Sequence, residues 1–335
     1  MQNQRIIWQD TAKGIGIMLV VLGHVSRGLM NAGMVDSAGW HNFDFALYTF
    51  HMPLFMFLAG LNVPHSLAAG GTRFVRSKIL TVAYPYFVWS IIHGSAMAVL
   101  SKYSNAAKGW GDVAQILWKP IEPFWFLYVL FFFLMAARYL KFSTLLGISV
   151  AIFLFGDLMR AFPDQFLHFP LFFCLGMLVA KRPQTAIISN LHAVLGLLIA
   201  TVTIALALYS GFKNFDSVLM LPAAIGGGLV VLWIAQRLEF INWLAVLGRI
   251  SLAVYVMHIL AASGLRIVMS KLLHIPAVPV VYLVAGTVAG IIVPVIAYYA
   301  LRYLNLLPWF GLAVGAKGRA WINGAPREST AELAT

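Results

Sequence analysis

The chain has 335 residues, of which 61% are hydrophobic and only 10% charged, with a net charge of +12. A soluble domain carries about 25% charged residues, so a water-soluble globule is excluded and the bilayer has to act as solvent. Cys174 is the single cysteine, which excludes an internal disulfide and a cysteine-based metal site.

Apolar runs of about 17–25 residues mark candidate spans. Ten are read, at 11–31, 45–62, 79–100, 123–140, 143–160, 166–180, 190–210, 217–236, 249–270 and 277–303. The expected fold is all-α, a polytopic membrane helix bundle of about ten transmembrane helices. Alternating sides along these spans puts 15 Lys and Arg on the side of the N-terminus and 8 on the other, against 4 and 7 acids. The net charges are then +11 and +1. Such a bias places both termini in the cytoplasm, and accounts for the basic balance without nucleic acid. The first span lacks the order of a cleaved signal peptide and is expected to be retained. Residues 1–315 read as one transmembrane domain and 316–335 as a polar cytoplasmic tail. The loop at 101–122 has room for a short interfacial helix, with Trp110 and Trp118 at headgroup depth.

Several polar groups interrupt the spans, and an ionisable group inside the membrane is costly. In "DTAKGIGIMLVVLGH", Lys13 and His24 are 11 residues apart, so they share a helix face with a rise of roughly 16 Å. Asp10 precedes Lys13 by one turn and can pair with it. Lys13 reads as a snorkelling anchor or as a functional cation, and His24 as an interhelical hydrogen-bonding group or a reactive one. In "FHMPLFMFLAG", His51 lies at about the depth of His24, and Pro53 follows it. Arg73 and Arg76 in "RFVRSK" fit either ordinary cytoplasmic charge or a paired guanidinium clamp for phosphates. Glu122 and Pro123 read as a helix start, and Trp125 as an interfacial residue or the roof of an outer cavity. In "GRISLAVYVMH", Gly248, Ser251, Tyr255 and His258 fall on one face, which has to look into the bundle. His41, His65, His93, His168, His192 and His274 sit mostly near span ends and read as interfacial.

His24, His51 and His258 thus converge at one depth, with basic groups on the cytoplasmic side. No Walker, EF-hand or zinc-protease motif is present, and no acidic cluster suits a metal. An imidazole can take a proton from a hydroxyl, and cations at the mouth suit a phosphate-bearing donor. The pattern fits group transfer to an alcohol. It equally fits a proton-coupled transporter or an exporter of a small polar solute or glycan. A membrane scaffold would leave the histidines unexplained.

These motifs in this order resemble the acyltransferase 3 family of bacterial inner-membrane acyltransferases, and within it the smaller fucose 4-O-acetylase-like members. The anchors are Lys13 and His24, "FHMPLFMFLAG" (50–60), Arg73 and Arg76, "FWFLYVLFF" (124–132) and "GRISLAVYVMH" (248–258). The resemblance covers essentially the whole chain. It implies an O-acyltransferase that moves an acyl group, usually acetyl, from cytoplasmic acetyl-CoA to a hydroxyl of a sugar. His24 would be base or acyl relay, oriented by Tyr255 or His258, with His51 nearby. Lys13, Arg73 and Arg76 would hold the CoA phosphates. The commonest form has Arg where Lys13 stands, and Lys keeps the charge without the fork. A glycan or lipid-linked sugar would enter past Glu122 and Trp125. Some relatives carry a fused extracytoplasmic domain, so any second partner here is expected to be a separate protein.

Overall fold

The first helix, α1, spans Ile7–Asn31 and is the hub of the bundle. The structure, a computed structural model, describes residues 6–99, 110–156, 168–181 and 187–313. The tail 316–335 and the loop residues 101–109 lie outside them, as do Arg5, Arg160 and Arg182 from the charge count.

Next come α2 (Ala38–Leu61), which continues through Pro53, and the short α3 (Val63–Ala68). α4 (Gly71–Lys78) passes through a π-helical turn at Ile79–Ala83 into α5 (Tyr84–Val99). A one-turn helix, α6, covers Trp110–Ala114 in the loop where one was expected, with Trp110 and Trp118 exposed. Three shorter apolar helices follow, α7 (Trp125–Tyr139), α8 (Phe142–Phe155) and α9 (Pro170–Ala180). Then come α10 (Asn190–Tyr209), α11 (Leu221–Arg237), α12 (Asn242–Arg249), α13 (Ser251–Ile267) and α14 (Pro279–Tyr303). No strand occurs among the described residues.

Among the described residues, six helical runs are long and apolar enough to cross a membrane: Ile7–Asn31, Ala38–Ala68, Asn190–Tyr209, Val218–Arg237, Ser251–Leu272 and Pro279–Tyr303. Leu191, Val194, Leu197 and Leu198 of α10 are exposed. Such a face meets hydrocarbon at no cost in a bilayer, where only the backbone must be satisfied internally.

The hub position of α1 follows from its small residues. It packs against α2, α11, α12, α13 and α14. A Cβ on Gly14 would strike the Leu244 carbonyl, and one on Gly248 would strike the backbone of Asp10. The α1–α12 crossing is therefore backbone on backbone, the geometry that small residues permit between membrane helices. α2 and α9 meet the same way, Gly60 against Phe173 and Gly176 against Phe57. In α11, Gly226 faces Gly196 of α10, Gly227 faces Phe50 of α2, and Gly228 looks into open space. Two of the three glycines, Gly226 and Gly227, serve packing within the chain.

One boundary differs from the sequence reading. α7 starts at Trp125, while Glu122 and Pro123 lie in the turn before it. The Phe124 N–H donates to the Ile121 carbonyl at 2.7 Å, and the Tyr255 hydroxyl donates to the Pro123 carbonyl. Those two bonds hold the segment as a turn against α13.

Candidate active site

The last turns of α1 bring His24 and Arg27 to a cavity of about 210 Å³. α5 adds His93, α13 adds His258, Ser263 and Arg266, and the turn before α7 adds Glu122. The His24 and His258 rings are 5.1 Å apart between centroids. Three histidines from three helices thus face one small polar space.

His258 is completely buried. Its Nδ1 lies 2.7 Å from the Tyr255 carbonyl and 3.2 Å from that of Val254. A carbonyl can only accept, so Nδ1 carries the proton and Nε2 keeps its lone pair. That Nε2 has no hydrogen-bond partner among the described residues. The histidine is locked by its own helix with an acceptor left for something in the cavity.

His51 is arranged in the same way on α2. Its Nδ1–H donates to the Leu47 carbonyl at 2.7 Å, and its buried Nε2 is unpartnered among the described residues. It does not line the cavity. The Tyr48 ring lies between, 4.5 Å from His51 and 6.1 Å from His24 between centroids. Tyr255 is also off the cavity wall, its hydroxyl spent on Pro123. Its place is to hold Glu122 at the cavity. Trp125 points elsewhere and stacks on Phe169, with centroids 5.3 Å apart and planes at 27°.

The cations of the other end gather around a groove of about 540 Å³. Arg76 and Thr72 of α4 line it with Arg138 and Tyr139 at the end of α7. Arg73 is exposed and is not part of the wall. The Arg138 guanidinium packs against Gly71, in the space a Cβ there would take. Lys13 lies 4.0 Å from the buried Asp10, the i, i+3 pair expected from the sequence. It is also close enough to Lys78 to act on it: burial, then the Lys13 charge, lower the pKa of the Lys78 ammonium from its ordinary value. α7 joins the two sites, with Glu122 just before its start and Arg138 at its end. Its length from Trp125 to Tyr139 is roughly 20 Å. Between them lies packed core, including Ile17, Met56, Phe126 and Leu130.

His93, Arg27, Arg138 and Arg266 of these sites escaped the sequence reading. His93 and His168 were expected at interfaces, yet both are buried, at 1% and 2% exposure, and His93 lines the cavity. Arg27, Arg138 and Arg266 entered the sequence reading only as topological charge. Arg27 carried one signal, its i+3 spacing from His24, which puts both on one face. Arg138 and Arg266 carried none, since each is positioned by contacts distant in sequence. Among the described residues, no group of three or more His, Cys, Asp or Glu side chains is arranged to hold a metal ion.

An all-helical membrane bundle with a histidine cavity at one end and an arginine groove at the other is the class this architecture defines. The family model described as an acyltransferase domain matches residues 6–299, and the chain belongs to that acyltransferase 3 family. Its long apolar helices and its family make it a multi-pass membrane protein. It is similar to the nodulation protein NolL of Sinorhizobium fredii (strain NBRC 101917 / NGR234), 30% identical over 187 residues, 53% of this chain and 50% of that one. It is likewise similar to the nodulation protein NolL of Mesorhizobium japonicum (strain LMG 29417 / CECT 9101 / MAFF 303099), 30% identical over 189 residues, 53% of this chain and 49% of that one. The chain spans about half the length of the curated relatives it matches. No solved structure matches it.

Proposed function

We propose that this acyltransferase moves an acyl group, acetyl first among candidates, from cytoplasmic acyl-CoA to a hydroxyl of a sugar or cell-envelope glycan. In this reading it crosses a bacterial inner membrane ten times with both termini in the cytoplasm, residues 1–315 forming the transferase and 316–335 a cytoplasmic tail. The observation that carries it is the small polar cavity where His24 meets His258, a helix length away from an open arginine groove.

The donor's phosphates bind at the groove. Arg76 and Arg138 supply forked donors suited to phosphate oxygens, with Lys13, Arg73 and Lys78 as further positive charge. The roughly 16 Å from Lys13 to His24 along α1 suits an extended thiol arm. Its passage requires side chains of the core between the sites to swing aside. His24 serves as the base, with the fixed His258 ring 5.1 Å away between centroids offering its Nε2 lone pair to the same cavity. The acceptor enters at the end lined by Glu122, as a glycan or lipid-linked sugar. The cavity is below the roughly 300–1,000 Å³ of drug-sized ligand sites, a size suited to one ring at a time. His24 takes the hydroxyl proton, the alkoxide oxygen attacks the thioester carbonyl, and the thiolate leaves with that proton. Transfer of the acyl group first to His24 is the variant with two steps. A separate extracytoplasmic protein would receive or present the glycan.

Three substitutions separate the ends of this scheme. Arg76→Ala and Arg138→Ala are each expected to raise KM for acyl-CoA about tenfold with little change in kcat, because a phosphate contact is made equally in ground and transition states. His258→Ala is expected to lower kcat roughly tenfold to a hundredfold without changing KM for acyl-CoA. Steady-state kinetics on purified protein read all three.

The reading is tested in vesicles with acetyl-CoA outside and an amino-group-free sugar acceptor inside. Labelled acetyl ester inside, formed only when acetyl-CoA and acceptor are both present, supports it. Movement of the sugar that is indifferent to acetyl-CoA would replace it with the transporter.

A further inference from the structure

Resting on the acyl-transfer reading, we propose that Arg27 is a catalytic residue, the donor that receives the negative charge developing on the acyl carbonyl oxygen. Arg27 stands one turn beyond His24 on the same face of α1, and both line the cavity. Its guanidinium is fixed on two sides. Nε donates to Asp44 Oδ1 at 2.8 Å and Nη2 donates to Oδ2 at 3.0 Å, a fork held by α2. The guanidinium carbon sits 3.2 Å from the centroid of the Tyr48 ring. Tyr48 is the same ring that packs against His24 and His51.

The fork uses two of the five N–H groups of an arginine. Nη1 makes no hydrogen bond among the described residues, so its donors are available to the cavity. The positive charges of Arg27 and Arg266 are offset by Asp44, paired with Arg27, and by Glu122 on the same cavity wall. Such a balance is poor for holding a permanent anion. It suits a neutral carbonyl whose oxygen turns anionic only in the transition state. A donor held rigid before the reaction stabilises that charge without reorganisation.

The step balances as follows. His24 accepts the proton of the acceptor hydroxyl. The hydroxyl oxygen bonds to the thioester carbon, and the carbonyl π pair moves to the oxygen held by Arg27 Nη1. That pair then reforms the double bond, the carbon–sulfur bond breaks, and the thiolate takes the proton from His24.

Removing Arg27 alone strands the Asp44 carboxylate, which is largely buried and costly to leave unpaired. The discriminating variant is therefore the double change Arg27→Gln with Asp44→Asn, a neutral pair that can still hydrogen-bond. A clamp that merely ties α1 to α2 would survive it. An oxyanion donor would not: kcat should fall about a hundredfold or more, with KM for acetyl-CoA and sugar unchanged and thermal melting near wild type. Asp44→Asn alone, which keeps the guanidinium, should retain kcat within about tenfold. Should the double variant not fold, Arg27→Lys keeps the ion pair but loses the fork, and is expected to lose at least tenfold in kcat. Wild-type kcat in the double variant, or in Arg27→Lys where the double variant does not fold, would overturn the role while leaving acyl transfer standing. Absence of transfer in wild type would overturn both.

Discussion

Replacing His24 with alanine is expected to abolish acyl transfer, by on the order of a thousandfold or more, while the protein still inserts and melts as wild type. The size follows from what is lost. A positioned base contributes typically 10²–10⁴-fold, and the relay variant would lose its covalent intermediate as well. The fold should tolerate the change because His24 is only partly buried at a cavity wall. No neighbouring carboxylate is orphaned by it. His24→Gln, which keeps a hydrogen-bonding end but no basic nitrogen, should be equally inactive. Chemistry is thereby separated from packing.

The second large effect is on the fold. Gly248→Val should destabilise the bundle by about 3 kcal/mol or prevent its assembly, at the upper end of overpacking costs. At Gly248 even a Cβ would overlap the Asp10 backbone, which no rotamer change can relieve. α12 would be forced away from α1, the helix that carries Lys13, His24 and Arg27. Activity and melting temperature should fall together. Gly147→Ala is the matched control, since nothing lies within 4 Å of a Cβ there. It should be neutral or slightly stabilising, as alanine is the better helix former. Melting of the purified protein in one detergent reads both variants.

The six long helical runs were legible because burial in lipid makes each a long, mostly apolar stretch. The placement of Lys13 beside Asp10 was legible too, since i, i+3 geometry belongs to a single helix. The inward face of Tyr255 and His258 followed from the cost of polar groups in hydrocarbon. Their roles did not follow. The partner of the Tyr255 hydroxyl lies 132 residues away in the chain, and no periodicity points to it. His93 looked like a residue near a span end, yet the approach of α5 to the turn before α7 seals it in, with its ring 5.3 Å from that of Phe124 between centroids. Arg27 and Arg138 were hidden for another reason. Counting cations for topology treats each as a charge near a surface, whereas their effect here depends on Asp44 and on Gly71, contributed by other helices.

The most direct measurement feeds radiolabelled acetyl-CoA and a sugar acceptor to purified wild-type protein and to folded His24→Ala, and follows free CoA and label on protein and sugar. The proposed chemistry predicts CoA release with matching label on the sugar in wild type and neither in the variant. Equal CoA release and sugar labelling by His24→Ala, or none by folded wild type with any acyl donor and sugar tried, would contradict it.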